Sequence, residues 1–292
     1  MKEIENNSLF NISLSDSLGF RKIVIDVMSE ACSLDGNGYD GIGTLGEKQM
    51  HAAIKRFICP DTQKHEIIID GSEGCLANNN QDQDAKRKKR RFVADILLEN
   101  TVYEIQTGSF APLTRKIQWI LDNTSYNIAV IHPIAETKWV SIINSKSGDI
   151  ESRKKSPQKG KITDLASELY YLRDFISSPR FSLVILMMEA EQYKKNITKD
   201  TRRRPKYKKY EMIPISLLRA YIFRNSYDYS LFLPDALPEK FTVGEYQKIA
   251  KIYGLDAYSI VKTLCHIGLL TADGKIGRAI AYTKTKITEN FQ

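Results

Sequence analysis

Cysteine is sparse and unpatterned in this chain of 292 residues. Its four thiols, Cys32, Cys59, Cys75 and Cys265, form no CxxC pair and no Cys/His ligand spacing. That argues against a structural zinc site and a disulfide framework, and points to a reducing, cytoplasmic compartment. Long apolar runs are also missing. The longest, FSLVILMM at 181–188, is too short to cross a bilayer and reads as a buried strand, so no membrane partner is expected. The opening MKEIENNSLF has no apolar h-region, so no signal peptide is expected. Internal repeats are absent.

What the chain does have is enough apolar character for a core and an excess of positive charge. Apolar residues make up 42% and aromatics 10%, which suits one large domain or two smaller ones. Lys plus Arg number 43 against 35 for Asp plus Glu, a formal charge of +8. A basic balance makes a polyanion the first partner to consider: DNA, RNA or an acidic membrane surface. The charge gathers in KRKKRR at 86–91, RKKSPQKGK at 153–161 and RRRPKYKKY at 202–210. Each stretch either neutralises phosphates or is solvated loop charge. The first runs into a strand, so Arg90 and Arg91 are best placed to guide a backbone. The third interleaves Tyr207 and Tyr210, which can stack on bases.

Hydrophobic periodicity gives the element order. DSLGFRKIVIDVMSEACS reads as an amphipathic helix, and TLGEKQMHAAIKRFIC as another with Met50, Ile54 and Phe57 in a stripe. HEIIID is a strand, residues 94–110 a hairpin, and PLTRKIQWILDN a helix with Pro112 in its first turn. NIAVIHPI and KWVSIIN are strands, TDLASELYYLRDFI a helix, and FSLVILMM a strand. This α-β-β-β-α-β succession predicts an α/β or α+β domain, placed at 1–235. Residues 236–292 form a second unit. There Thr242 and Glu245 give a capping-box signature, followed by a second helix and a strand–Gly turn–strand. Helix, turn, helix and hairpin make a winged helix-turn-helix pattern, with Lys275 and Arg278 on the wing as candidate nucleic-acid contacts. Such modules also serve protein contacts. GIGTLG at 41–46 matches GxGxxG, but no strand precedes it, and its glycines suit a sharp entry into the following helix.

The hairpin ADILLENTVYEIQTGSF, residues 94–110, raises the chemical question. With Glu99–Asn100 as its turn, Leu98 pairs with Thr101 and Asp95 falls opposite Glu104. Carboxylates facing each other at about 4.5–5.5 Å between Cβ atoms repel. A proton, an Arg or Lys, solvent or a divalent cation must offset that, and a hard cation such as Mg²⁺ prefers carboxylate and carbonyl oxygens. Glu47 is a third acid. On its helix, 47, 50, 51, 54 and 57 share a face, which points Glu47 at the sheet, although Thr44 and Glu47 also fit a capping box. His51, one turn on, reads as a supporting residue rather than a ligand.

An acid on a first helix, then a hairpin with Asp and, after a gap, Glu-x-Lys or a variant, resembles the PD-(D/E)XK nuclease superfamily of restriction-endonuclease-like proteins. The matching α-β-β-β-α-β core covers roughly residues 44–132. The resemblance implies a metal-dependent nuclease acting on nucleic acid, most readily double-stranded DNA, in defence or genome maintenance, with a homodimer left open. Asp95, Glu104 and the Ile105 carbonyl would hold Mg²⁺ or Mn²⁺, Glu47 would join them, and Arg115 and Lys116 would face the nucleic acid. Two departures stand out: Asp95 follows Ala94 rather than Pro, and Gln106 occupies the Lys position. Gln carries no charge and shuttles no proton at neutral pH. It can orient a water whose pKa a metal lowers. Otherwise Lys116 reaches in from the next helix, or the site is degenerate and the protein binds nucleic acid without cleaving it.

Overall fold

The computed structural model describes residues 9–11, 14–34, 46–70, 91–144, 148–196 and 207–285. In chain order the strands are β1 (Leu9–Asn11), β2 (His65–Ile69), β3 (Phe92–Leu98), β4 (Thr101–Ile105), β5 (Asn127–Ile143), β6 (Ile150–Lys155), β7 (Phe181–Asn196), β8 (Tyr207–Phe223), β9 (Lys240–Thr242), β10 (Leu270–Ile276) and β11 (Ala279–Lys284). The helices are α1 (Leu14–Leu34), α2 (Gly46–Ile58), α3 (Thr114–Asn123), the single turn α4 (Leu169–Leu172), α5 (Val243–Ala250) and α6 (Gly254–His266). The fold is mixed α/β. No helix of the described residues is long and apolar enough to cross a membrane.

Eight strands form the main sheet in the order β1-β8-β7-β5-β4-β3-β2, with β6 added beside β5. The pairs β2–β3 and β3–β4 are antiparallel, whereas β5 runs parallel to both β4 and β7. Alternate residues of these strands serve two cores, as the period of a strand requires. Val102 and Val130 point to one side, where Ile117 and Ile120 of α3 cover them. Ile105 and Ile131 point to the other, against Phe20 and Val24 of α1 and Met50 and Ile54 of α2.

The first core continues without a break into the C-terminal elements. Leu169 and Leu172 join Phe232, Phe241, Tyr246, Ile260 and Leu264 in one apolar cluster. The Tyr246 hydroxyl donates to the Phe232 carbonyl at 2.8 Å, and His266 Nε2 lies 3.0 Å from Asp174 Oδ1. Helices α5 and α6 lie against a small antiparallel sheet ordered β10-β11-β9. The capping box is present: Glu245 N–H donates to Thr242 Oγ1, and Thr242 N–H to Glu245 Oε2.

The structure departs from the sequence reading in the long strands. NIAVIHPI and KWVSIIN are one 17-residue strand, because a bulge between Ala135 and Thr137 lets the pairing with β7 pass through the polar middle. The stretch 150–155, read as loop, is strand β6. FSLVILMM is only the first half of β7, and β8, unrecognised as a strand, pairs with it along its length. TDLASELYYLRDFI makes a 3-10 turn and one α turn instead of a helix. Propensity-based reading undervalues polar strands that exist because a neighbouring strand pairs with them.

Gly160 holds the chain leaving β6 against the bulge. Its N–H donates to the Ala135 carbonyl at 3.1 Å. A Cβ there would meet that carbonyl oxygen at 2.6 Å and Ile134 Cγ2 at 2.7 Å. Gly160→Ala is therefore expected to lower stability by about 1–3 kcal/mol, read as a reduced urea midpoint. An unchanged midpoint would show that this approach is not needed.

Candidate active site

The carboxylates come together because the hairpin register is the one the sequence specifies. Leu98 pairs with Thr101 and Ile96 with Tyr103, which sets Asp95 against Glu104. Glu99 opens the turn at φ 53°, the left-handed conformation that tight hairpin turns use. Beyond Ile96–Tyr103 the two side chains take over from the main-chain ladder. Ile105 N–H donates to Asp95 Oδ2 at 2.7 Å, and Asp95 N–H donates to Glu104 Oε1 at 3.4 Å. Each carboxylate thus binds the strand that carries the other.

Helices on both sides of the sheet reach this pair. From α3, Lys116 Nζ lies 2.5 Å from Glu104 Oε2 and also donates to the Val93 carbonyl. From α2, His51 Nε2 lies 2.9 Å from Asp95 Oδ2, at ion-pair distance but without good hydrogen-bond alignment. Glu47 sits in the first turn of α2, one turn before His51, and its side chain lies outside the described residues.

The two acids are tuned apart. Burial works to raise the Asp95 carboxyl, but the His51 contact and charge, the Ile105 N–H and the Lys116 charge outweigh it and hold the pKa below the ordinary value. Glu104 is only 3% exposed. Burial pushes its pKa up to about 7, Lys116 pulls it back, and the Asp95 charge adds to the rise. An ionised acid beside one that titrates near neutrality is a pattern found where acid–base chemistry is done.

Gln106 is held away from the pair. Its side-chain amide donates to the Ser109 carbonyl, and its own carbonyl lies 2.6 Å from His132 Nδ1. Burial lowers the His132 pKa, against the opposing pull of that carbonyl and of Glu168. Glu168 also organises the loop after Gln106: its Oε2 accepts from Phe110 N–H at 2.7 Å and from Ser109 Oγ at 2.9 Å. Sequence reasoning missed Glu168, because nothing local ties it to residues 58 positions away. It also gave His51 only a supporting part, and the contact with Asp95 identifies what it supports. Arg115 is exposed on α3, Arg91 exposed ahead of β3, and Lys275 and Arg278 exposed around the β10–β11 turn. Arg90 lies outside the described residues.

Two carboxylates and the adjoining Ile105 carbonyl form a donor set of hard oxygens that suits Mg²⁺ or Mn²⁺. Glu104 supplies the test of fit: a carboxyl that burial keeps partly protonated near pH 7 gains from a cation that favours its ionised form. Among the described residues, no group of three or more His, Cys, Asp or Glu side chains is gathered closely enough to hold a metal by itself.

The model of a family described as a domain of unknown function (DUF8091) matches residues 74–224, just over half of the chain. That span contains Asp95, Glu104, Lys116 and Glu168. A protein of Treponema pallidum (strain Nichols), described as uncharacterized, is 23% identical over 253 residues, covering 85% of this chain and 90% of that one. No solved structure matches.

Glu104 makes stability depend on pH with a definite sign. Its folded pKa is raised from 4.5 to about 7, so the protonated group's contribution is complete below 4.5 and is lost as pH rises through 7. Burial raises Glu211 in the same way, to about 7, so the informative quantity is the difference between variant and wild type. Glu104→Gln should gain stability over wild type as pH rises from 4.5 to 7, by up to about 1.4 kcal/mol per pH unit. Urea unfolding at several pH values measures it, and a constant difference would contradict the buried-acid account.

Proposed function

We propose that this chain, which belongs to the DUF8091 family, is a metal-dependent nuclease of the PD-(D/E)XK type acting on DNA. The observation that carries this reading is the pair Asp95–Glu104 with Lys116 on Glu104. The order α2-β2-β3-β4-α3-β5, with β5 parallel to β4, supports a restriction-endonuclease-like core.

Asp95, Glu104 and the Ile105 carbonyl would hold the ion, with Glu47 as a further donor. Bound there, Mg²⁺ or Mn²⁺ would lower the pKa of a water and neutralise charge on the phosphate. Lys116 would take the part that the PD-(D/E)XK superfamily gives to a lysine two residues after the Glu. Its ammonium arrives from α3 at the same carboxylate, so it can orient the attacking water and offset charge that develops on phosphate oxygens. Gln106 fixes the loop through Ser109 rather than serving as that cation. His51 keeps Asp95 ionised and oriented. Arg91 and Arg115 are read as phosphate contacts near the site, and Arg90, outside the described residues, keeps that reading from the sequence alone.

The C-terminal helices and three-stranded sheet are read as a winged helix with Lys275 and Arg278 on the wing. The outward side of α6 carries Leu255, Tyr258 and one lysine, Lys262, so the wing offers the stronger phosphate contact.

One observation favours a second reading. Lys116 already neutralises Glu104 without a metal, as expected of a protein that binds nucleic acid on a retired nuclease site.

Purified protein incubated with supercoiled plasmid and Mg²⁺ or Mn²⁺ separates the two. Cleavage should stop with EDTA and fall at least about 100-fold in Asp95→Ala and Glu104→Ala. Lys116→Ala should fall roughly 100-fold, while Gln106→Ala keeps most of the activity. Equal background nicking by wild type and Asp95→Ala would leave only the binding reading. Full activity in Lys116→Ala would remove the lysine from the mechanism.

A further inference from the structure

Strands β5 and β7 do not stop where β4 does. Glu104 pairs with Val130, and β5 then runs on to Ile143 with β6, β7 and β8 alongside. The sheet therefore projects a four-stranded arm from the end at which β4 delivers Glu104 and Ile105.

The paired positions of the arm place their acids on one face only, because residues paired across strands share a face. One face carries the acids Glu191 and Glu211 with Trp139, Ser141 and Tyr193, and with them the cations Arg153, Lys155, Lys195 and Lys208. Glu191 is used internally, whereas both Glu211 carboxylate oxygens are buried without a hydrogen-bond partner among the described residues. Ser141 Oγ donates to Glu191 Oε1, Arg153 Nε donates to the same oxygen at 3.0 Å, and the Arg153 guanidinium sits 4.1 Å from the Trp139 ring centroid.

The opposite face carries Lys154, Val140, Gln192 and Met212 in one row, and Ser152, Ile142, Lys194 and Lys209 in the next. Lys138, two residues before Val140, lies on the same face beside Ala190 and Pro214. None of these paired positions is acidic. Lys154 and Lys209 are exposed, and Lys138 and Lys194 are half-buried. Among the described residues none of the four has a carboxylate partner. Lys194 and Lys209 are directly opposed, and like charges so placed destabilise a sheet in isolation. A polyanion laid across them removes that cost.

We propose that this lysine face binds the phosphate backbone of duplex nucleic acid at a distance from the cleavage site. From the level of Val130, Lys138 is eight residues along β5 and Ile142, in the row of Lys194 and Lys209, is twelve. At about 3.3 Å per residue the face spans roughly 26–40 Å from Glu104 along the strand. That equals about 8–12 base pairs at roughly 3.4 Å each, close to one helical turn. The arm thus favours substrates with at least a turn of duplex beside the scissile bond. The inference rests on the nucleic-acid reading but not on catalysis, since it uses neither Asp95 nor Glu104.

The test compares wild type, the triple variant Lys154→Gln/Lys194→Gln/Lys209→Gln, and Asp95→Ala. The first two are titrated with fluorescein-labelled duplexes of about 12 and about 40 base pairs over a range of salt concentrations. The triple variant should bind the long duplex at least about tenfold more weakly, with a salt slope shallower by about 2–3, and lose less affinity for the short one. Its melting temperature should be unchanged or higher, because the Lys194–Lys209 repulsion is gone. Asp95→Ala serves only to read whether cleavage depends on Asp95. Equal binding of the long duplex by wild type and triple variant overturns the arm proposal. If Asp95-dependent cleavage persists alongside that result, the nuclease reading survives it. Weakened long-duplex binding with no metal-dependent cleavage in any protein keeps the arm and removes the nuclease. Triple-variant loss confined to vesicles containing phosphatidylserine, with duplex binding intact, assigns the face to lipid and also overturns the proposal.

Discussion

A buried Glu104 and a half-buried Asp95 on adjacent strands, each bonded to the main chain of the strand that carries the other, form the constraint around which the site is built. Glu104 accepts from the Asp95 amide, and Asp95 accepts from the Ile105 amide. Such an arrangement costs desolvation and repulsion unless cations approach from outside the sheet. Lys116 comes from α3, packed on one face, and His51 from α2, packed on the other. The two helices therefore do more than cover the cores: their spacing about the sheet sets which acid is ionised and which titrates near neutrality.

The same reasoning separates Gln106 from Lys116. A glutamine at the motif position is at first sight a loss of function, since it brings no charge. In the fold it ties the loop at Ser109 while its carbonyl meets His132. The ammonium is supplied instead ten residues further along the chain, after a loop and a turn of helix have brought it back over β3 and β4. The charge that the proposed chemistry asks for is present, but at another place in the sequence.

How much of this could be read beforehand depended on whether the signal was local. The hairpin register followed from Glu99–Asn100 and the alternation around it, so the opposition of Asp95 and Glu104 was legible. The Thr242–Glu245 capping box was legible for the same reason. The contact of Lys116 with Glu104 was legible only as an option, because helix spacing does not say which side chain of α3 bends towards the sheet. Glu168 left no sign at all, since its partners lie about 60 residues away. The long strands failed for a different reason. Residues 150–155 and the ends of β7 and β8 are polar, and they are strands because neighbours pair with them, a non-local cause that propensity cannot register.

The central claim is that Asp95 and Glu104 form a cation site within a metal-dependent nuclease. Calorimetric titration of the protein with Mn²⁺ at pH 6 and pH 8 tests it most directly. The account predicts one site per chain, tighter at pH 8 because Glu104 is ionised there, and lost in both Asp95→Ala and Glu104→Ala. Heats that are absent, or that survive both substitutions, would contradict it and leave Lys116 as the only cation that these carboxylates hold.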